Sequence, residues 1–219
     1  VPASWANAEL DACASDEGLP AVVANILRPV NAQKGDELPV SAFAGYEDGV
    51  IDMGLTAFEK RGIAVTTPAW KADACIQCNR CAFVCPHATI RPFVLTDEEV
   101  AAAPENLRTL DAMGPKVKGM KFTLAVSPLD CMGCSVCVSA CPKDALTMVP
   151  TEGELPEQDV FDYCVSKVAE KPEAIAANTK GSQFKQPLLE FSGSCAGCAE
   201  TSYARLVTQV CGDRMFISN

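Results

Sequence analysis

The sequence lacks three features, each of which would point to a particular class of protein. No apolar run approaches the roughly 20 residues that a membrane-spanning helix needs. Residues 1–5 show neither the basic region nor the apolar core of a signal peptide. The formal charge is −10, with 18 Lys and Arg against 28 Asp and Glu, which argues against a nucleic-acid-binding surface. We therefore expect a cytoplasmic protein, or an organellar one in a eukaryote, with no membrane or nucleic-acid partner.

Catalytic constellations are missing as well. The sequence has one histidine, His87, and contains no paired carboxylates, no Ser/His dyad and no Walker-type phosphate loop. We therefore assign no acid–base or nucleophilic residue. Cysteine, in contrast, is abundant, with 13 residues in a chain of 219. Without a signal peptide, so many thiols indicate metal binding in a reducing compartment.

Eight of the cysteines form two matching runs of the pattern C-x2-C-x2-C-x3-C-P, 56 residues apart. Three thiolates at this spacing can bind three irons of one [4Fe–4S] cube, whereas the fourth lies too far along the chain and binds the other cube. The predicted ligands form two crossed sets: Cys75, Cys78, Cys81 and Cys141 (set one), and Cys85, Cys131, Cys134 and Cys137 (set two).

Other interpretations of these residues remain open. The eight thiols could form disulfides or two zinc sites, although zinc takes four ligands and does not require the crossed fourth cysteine. His87 follows Cys85 and Pro86 directly, so it either donates a hydrogen bond to a cluster sulfur or is a structural or surface residue, the commoner case. Trp70 either covers a cluster or belongs to an ordinary core.

The remaining pattern predicts an α+β fold in three parts. Residues 1–54 predict an irregular connecting segment, with one short helix over 19–28 that Pro29 ends. Residues 55–168 predict a ferredoxin-like domain with pseudo-twofold symmetry. Its predicted strands cover residues 63–67, ended by Pro68, 121–126 and 146–149. Its predicted helices cover residues 96–103, a turn or two within 105–113, residues 157–169, and short helices starting just before Cys85 and Cys141.

A further cysteine pair lies in residues 169–219, which predict a linker and the start of an α/β domain. A strand over residues 188–191 leads through a Gly-rich turn into a helix over 200–210, and the turn contains Cys195 and Cys198. Two thiols cannot hold a cube, so a dithiol or a zinc half-site is the alternative. Cys211 is an uncertain third ligand, whereas Cys13 and Cys164 are expected to be buried apolar side chains.

Along its whole length the chain resembles the pyruvate:ferredoxin (flavodoxin) oxidoreductases. The resemblance rests on the runs at residues 33–36, 38–43, 59–62, 83–88, 90–92, 127–131, 191–193 and 195–198. It implies an internal segment of an enzyme that oxidatively decarboxylates pyruvate on thiamine diphosphate and Mg²⁺ and forms acetyl-CoA. Electrons would pass singly through three low-potential [4Fe–4S] clusters to ferredoxin, flavodoxin or a fused flavin reductase.

The resemblance also has implications for individual residues. Cys195 and Cys198 would be the first two ligands of a cluster close to thiamine, completed by residues beyond 219, and Cys211 would not be a ligand. The family string C-A-G-C-G-E-T-P-Y differs here at Ala199 and Ser202, which leaves ligation untouched but changes contacts near thiamine. The remainder of the enzyme and a second copy of it, as a homodimer, would be partners. The alternative is a stand-alone carrier, or the electron-transfer subunit of another complex.

Overall fold

A computed structural model describes residues 18–218, so the expectation for Cys13 lies outside the described residues. The chain divides into two compact units, Val1–Phe58 and Glu59–Asn219. In the first unit a π-helical turn, Val23–Leu27, leads into α1 (Arg28–Asn31), and 3₁₀ turns follow at Gly35–Glu37, Val40–Phe43 and Leu55–Phe58. The predicted helix forms, but Pro29 does not end it. Pro29 lies in the first turn of α1, where its missing N–H leaves no helical hydrogen bond unmade.

The second unit contains two small antiparallel sheets. Its strands are β1 (Thr66–Trp70), β2 (Ile90–Leu95), β3 (Leu110–Asp111), β4 (Lys121–Val126) and β5 (Leu146–Pro150). One sheet pairs β1 with β5, and the other has the order β2-β4-β3. The helices are α2 (Arg80–Val84), α3 (Asp97–Ala101), α4 (Val136–Ser139), α5 (Glu157–Lys167), α6 (Thr179–Ser182) and α7 (Ala199–Cys211). In the described part of the chain, no helix is both long enough and apolar enough to cross a bilayer.

Strand pairing links the surroundings of the two cysteine runs. β1 precedes the first run and pairs with β5, which follows the second, so that Trp70 lies opposite Leu146. β2 follows the first run and pairs with β4, which precedes the second, so that Ile90 lies opposite Val126. Each sheet therefore combines strands from both halves, and β3, from the segment between the two runs, extends the second sheet. The mixed helix and strand content agrees with the predicted α+β class.

Several predicted elements need correction. Pro68 lies inside β1 rather than ending it, which is possible because a two-stranded sheet has only edge strands and an edge strand can lack one donor. Residues 105–113 form no helix and instead contribute β3, which pairs with β4. The short helices α2 and α4 end before Cys85 and Cys141 instead of starting there.

The expected strand over residues 188–191 is absent. No neighbouring strand offers it a ladder, and its amides bind elsewhere: Leu188 and Leu189 donate to Thr208 Oγ1, and Phe191 donates to the carbonyl of His87. The helix that was expected to follow it forms as α7. This stretch is therefore an extended loop that leads into a helix.

An apolar core lies beside the cysteine runs. Trp70 and Phe122 meet edge to face with ring centroids 6.1 Å apart, and Ile90, Leu124 and Leu146 pack with them. Burying each large apolar side chain contributes roughly 1.5–3 kcal/mol. The same cluster includes Cys85 and Cys137, so the core that stabilises the fold also shields the cysteine runs from water.

Two predicted helices form and pack as the pattern suggested. α5 lies against β4 and buries Val160, Phe161 and Cys164, so Cys164 belongs to the core. Burial raises the pKa of the Cys164 thiol to about 12. α3 begins with the predicted capping box, in which Thr96 Oγ1 accepts a hydrogen bond from the Glu99 amide and Glu99 Oε2 accepts one from the Thr96 amide.

Candidate metal centres

The two cysteine runs share one backbone conformation. Gln77 and Asn79 have φ of 53° and 58°, and the residues at the same offsets in the second run, Gly133 and Ser135, have 66° and 59°. These left-handed residues curl each loop around its first thiol. The amides of Gln77 and Gly133 then each donate to the sulfur of that first thiol, Cys75 or Cys131, at 3.4 Å. Amides that point at sulfur stabilise negative charge there, as iron–sulfur ligation requires.

The thiols of set one line a single cavity. All four are half-buried, and the cavity wall includes Trp70, Phe122 and Leu146. The Ala145 amide donates to Cys141 Sγ at 3.2 Å. Thiols from both runs therefore line this cavity, and Trp70 belongs both to its wall and to the core.

The thiols of set two line a second cavity. Three of them, Cys85, Cys131 and Cys137, are buried, so this cavity is the more enclosed of the two. The other wall residues are mostly apolar and include Ile90 and Met148. Each cavity is lined by three thiols of one run and the last thiol of the other, which matches the donor chemistry of two [4Fe–4S] clusters.

Burial disfavours the thiolate forms of Cys81 and Cys131. It raises the pKa of Cys81 to about 12, with neighbouring thiols of set one adding to the shift, and it raises the pKa of Cys131 to about 11. Bound iron would supply the positive charge that favours thiolates. In residues 18–218 the twelve cysteines are all free, and no group of three or more His, Cys, Asp or Glu is arranged around a single ion. The two complete thiol sets that line the cavities fit iron–sulfur clusters.

The remaining cysteine pair, Cys195 and Cys198, lies against the loop that carries set two. Gly197, between the pair, has φ of 74°, and a Cβ built on it would lie 3.5 Å from Cys134 Cβ. Cys195 is exposed and Cys198 is the N-cap of α7. Hydrogen bonding from Thr201 lowers the pKa of Cys198, an effect that favours its ligating form.

Cys211 does not join this pair. It is the last residue of α7, whereas Cys198 caps the first turn, so the two lie about 20 Å apart along the helix axis. The cysteine that the loop of Cys195 and Cys198 contacts is instead Cys134, which belongs to set two. The sequence departures at Ala199 and Ser202 lie in the first turn of α7, where Ser202 Oγ donates to the carbonyl of Val84.

His87 is buried rather than at the surface. Its Nδ1 lies 3.1 Å from the carbonyl oxygen and 3.2 Å from Oγ of Ser192, while its Nε2 has no partner among the described residues. The imidazole lines the set two cavity, and burial lowers its pKa, which keeps it neutral. The Ser192 carbonyl can only accept, so in the neutral ring Nδ1 carries the proton and Nε2 carries none. His87 thus bridges the loop before Cys195 and the set two cavity.

Two charged residues that lie beside set two belong to no metal-binding motif in the sequence. Lys60 forms an ion pair with Asp130, the residue before Cys131, and Arg205 of α7 donates to the carbonyl of Phe83, two residues before Cys85. Lys60 lies in one of the runs that carried the resemblance, which was the available signal. Nothing in the sequence marks Arg205, because a single Arg on an amphipathic helix usually faces solvent.

Comparison with known proteins agrees with this geometry. Residues 74–145 match the family of 4Fe–4S dicluster domains, and residues 9–64 match the EKR family, a domain of unknown function. The whole chain is 51% identical to pyruvate:ferredoxin oxidoreductase of Moorella thermoacetica and 48% identical to pyruvate-flavodoxin oxidoreductase of Klebsiella pneumoniae. It is 46% identical to the mitochondrial pyruvate dehydrogenase (NADP+) of Euglena gracilis.

These matches cover all of the chain but only part of each relative. The chain spans 19% of the two bacterial enzymes and 12% of the Euglena enzyme. The 4Fe–4S match includes the eight cysteines of sets one and two and excludes Cys195 and Cys198. The chain thus belongs, as a segment, to the pyruvate:ferredoxin and pyruvate-flavodoxin oxidoreductases.

Proposed function

We propose that this chain holds two [4Fe–4S] clusters by crossed ligation, one in each cavity, and carries electrons between a thiamine-dependent site and an external acceptor. The observation that carries the proposal is the composition of the two cavities, each lined by one complete thiol set. Bound clusters would supply one-electron transfer at low potential. The protein's own work is to hold and shield them. The pseudo-twofold relation between the halves belongs to the same proposal. The matching φ angles of the two runs, and sheets that combine strands from both halves, support it.

An order of the centres follows from the contacts between loops. The Cys195–Cys198 loop lies on Cys134, so set two is the neighbour of the third site. Helices α2 and α4 pack together and bring Cys81 of set one towards Cys137 of set two. Set one is the more exposed, and its loop presents Ile76, which is 43% exposed. We assign set two to the middle of the path and set one to its surface end.

The activity of the whole protein is part of this proposal. The relatives' names pair pyruvate with ferredoxin or flavodoxin, and the chain matches them over its full length. We infer that the complete protein oxidises pyruvate with thiamine diphosphate and Mg²⁺, forms acetyl-CoA, and reduces ferredoxin or flavodoxin. Cys195 and Cys198 would supply two of the ligands of a third cluster nearest to thiamine.

The exposed apolar surface of this chain is a reason to propose that the rest of the enzyme packs against it. On α7, Tyr203, Val207 and Val210 are 46–67% exposed, and in the first unit Val40 is 91% exposed. Large exposed apolar patches in soluble proteins usually mark contacts with other protein surfaces. We propose that further domains of the same polypeptide cover the exposed face of α7.

Anaerobic purification of the complete native polypeptide tests the proposal. Iron and sulfide analysis should give about eight of each from sets one and two, with about four more from the third site. Pyruvate should reduce the EPR-active clusters, and Cys195→Ser should abolish that reduction while dithionite still reduces sets one and two. A Cys195→Ser protein that pyruvate still reduces, or a wild type that pyruvate never reduces, would favour the stand-alone carrier. Wild-type protein without iron and sulfide would rule out both.

A further inference from the structure

Arg205 is the largest fully buried side chain in the described part of the molecule, with 1% of its surface exposed. It lies in α7, and its guanidinium donates to three neutral acceptors. Nη2 donates to the Phe83 carbonyl at 2.6 Å, and Nη1 donates to Gln183 Oε1 at 3.2 Å and to Gln209 Oε1. Its Nε has no partner among residues 18–218. The guanidinium is therefore anchored in place but receives no negative charge from these contacts.

A buried cation of this kind needs compensation. Arginine stays protonated under all ordinary conditions, so it cannot shed its charge as a buried lysine can. Within the described residues no carboxylate lies within ion-pair distance of Arg205. The neighbouring Arg91 adds a second positive charge, but Arg91 pairs with Glu190. A buried charge is costly unless an opposite charge lies close by, so some other negative group must offset Arg205.

The group that can supply this negative charge is the thiol set two. Burial lowers the pKa of Arg205, and the neighbouring group that would act in the opposite direction is Cys85 of set two, once it is a thiolate. Phe83, which accepts from Nη2, lies between Cys81 and Cys85 at the end of α2. α7 packs directly against α2. A cube held by four thiolates is anionic, and its negative charge grows by one unit when it accepts an electron.

We propose that Arg205 is the electrostatic counter-charge of the cluster in set two, and that its charge raises the reduction potential of that cluster. The inference rests on the proposed function, since it requires a cluster in set two. The positive charge favours the more negative, reduced state, so set two can receive an electron from the third site. Arg205 touches no reacting atom and is a positioning and tuning residue.

Lys180 provides a matched cation beside the other set. Burial lowers the pKa of Lys180, whereas Cys78 and Cys75 of set one, as thiolates, act in the opposite direction. Its Nζ donates to the Met113 carbonyl at 2.7 Å. Its backbone carbonyl accepts from Asn79, in the set one loop. Removing Lys180's charge should therefore act on set one, whereas removing Arg205's charge should act on set two.

The test is a potentiometric EPR titration of the complete polypeptide carrying Arg205→Met, Arg205→Lys or Lys180→Gln. An adjacent opposite charge shifts a protonation equilibrium by about one to three units, so removing a buried one should change a redox equilibrium at least about tenfold. In Arg205→Met we expect the reduced-to-oxidised ratio of one cluster to fall about tenfold at a fixed solution potential, which is about 59 mV more negative for one electron. Arg205→Lys should keep most of the wild-type potential, and Lys180→Gln should shift a different couple.

The outcomes separate this inference from the proposed function. Iron and sulfide contents equal to wild type, with one couple shifted in Arg205→Met and restored in Arg205→Lys, would support it. Full cluster content with unchanged potentials, or equal shifts in the Met and Lys variants, would overturn it while leaving cluster binding intact. If Arg205→Met loses iron, the Arg205→Lys variant provides the test. A wild-type potential in Arg205→Lys supports the counter-charge, whereas a potential shift as large as that expected for removal of the charge refutes it. Wild-type protein without clusters would defeat the proposed function itself.

Discussion

Lys60 Nζ lies 2.6 Å from Oδ2 of Asp130, the residue immediately before the first thiol of set two. Asp130 is buried, with 1% of its side chain exposed, and Ser127 Oγ also donates to its Oδ2 at 2.6 Å. The chain segment before β1 is thereby fastened to the loop that carries Cys131, Cys134 and Cys137. Lys60 lies within the residues that match the EKR family, so part of that match contacts the set two loop directly.

Lys60→Met should loosen the set two loop. Removing one partner leaves the Asp130 carboxylate buried with only neutral donors, which costs about 2–3 kcal/mol for a pair in which the lysine keeps some exposure. If iron release requires the loop to open, release into a chelator should accelerate about thirtyfold. The control is Lys121→Met, because its partner Asp111 has a side chain that is 90% exposed and such pairs contribute under about 1 kcal/mol. Equal effects of the two substitutions would contradict the argument.

Crossed ligation predicts which cluster each fourth cysteine supports. Cys85→Ser should damage the cluster held by Cys131, Cys134 and Cys137, and Cys141→Ser should damage the one held by Cys75, Cys78 and Cys81. EPR of the anaerobically purified variants would distinguish them, because each should lose a different signal. Loss of the Cys75 cluster in Cys85→Ser would mean that each run closes on itself.

His87→Phe should loosen the loop that precedes Cys195. Nδ1–H of neutral His87 donates to the Ser192 carbonyl at 3.1 Å, and phenylalanine keeps a ring of similar size but loses this donor. Loss of one such hydrogen bond costs about 1 kcal/mol, so local opening of the loop should become roughly fivefold more frequent. Amide hydrogen exchange over residues 192–198, with His87→Gln as the donor-retaining control, measures this. Exchange at the wild-type rate in His87→Phe would contradict the prediction.

Glu99 predicts a local dependence of stability on acid. Burial alone would raise its pKa, but hydrogen bonds from Lys171 and from the amides of Thr96 and Ala169 outweigh burial and hold the pKa below its ordinary value of 4.5. A carboxyl with a lowered pKa contributes stability above that ordinary value, and the contribution is lost as pH falls through the folded-state pKa. Glu99→Gln should cost about 1–2 kcal/mol of local stability at pH 7 and progressively less below pH 4.5.

Hydrogen exchange of residues 96–101 and 169–171, corrected for intrinsic rates, measures this local stability. The Glu99→Gln and wild-type proteins should differ at pH 7 and converge in acid, while Glu105→Gln, at an exposed site outside α3, should stay close to wild type throughout. A Glu99→Gln difference that grows in acid would contradict the direction of the pKa shift.

Local sequence patterns correctly predicted those elements that depend only on their own residues. The strand at Lys121–Val126 and the capping box at Thr96 formed where predicted, because side-chain alternation and end-capping are short-range effects. The stretch 188–191 has the composition of a strand, yet a strand requires a partner with free backbone groups, and the sequence of the stretch itself carries no information about that. The sequence predicts that the strand ends at Pro68, because sequence alone does not distinguish an edge strand from a central one.

The thiol sets could be proposed from spacing, but the charges around them could not. The sequence predicts a helix over residues 200–210, which forms as α7, but it does not indicate which side of the helix is buried. The buried side carries Arg205, Thr208 and Gln209, while Val207 and Val210 stay exposed. Amphipathic helices usually bury their apolar face, whereas α7 turns its polar face towards α2 and set two.

The pairing of β1 with β5 places Thr66 opposite Pro150. The backbone therefore enters and leaves the two-cluster unit at adjacent points, although some 80 residues separate them. A unit with neighbouring ends can be inserted into a host polypeptide without displacing what comes before and after it. That property suits a redox module that evolution can add to, or remove from, much larger enzymes.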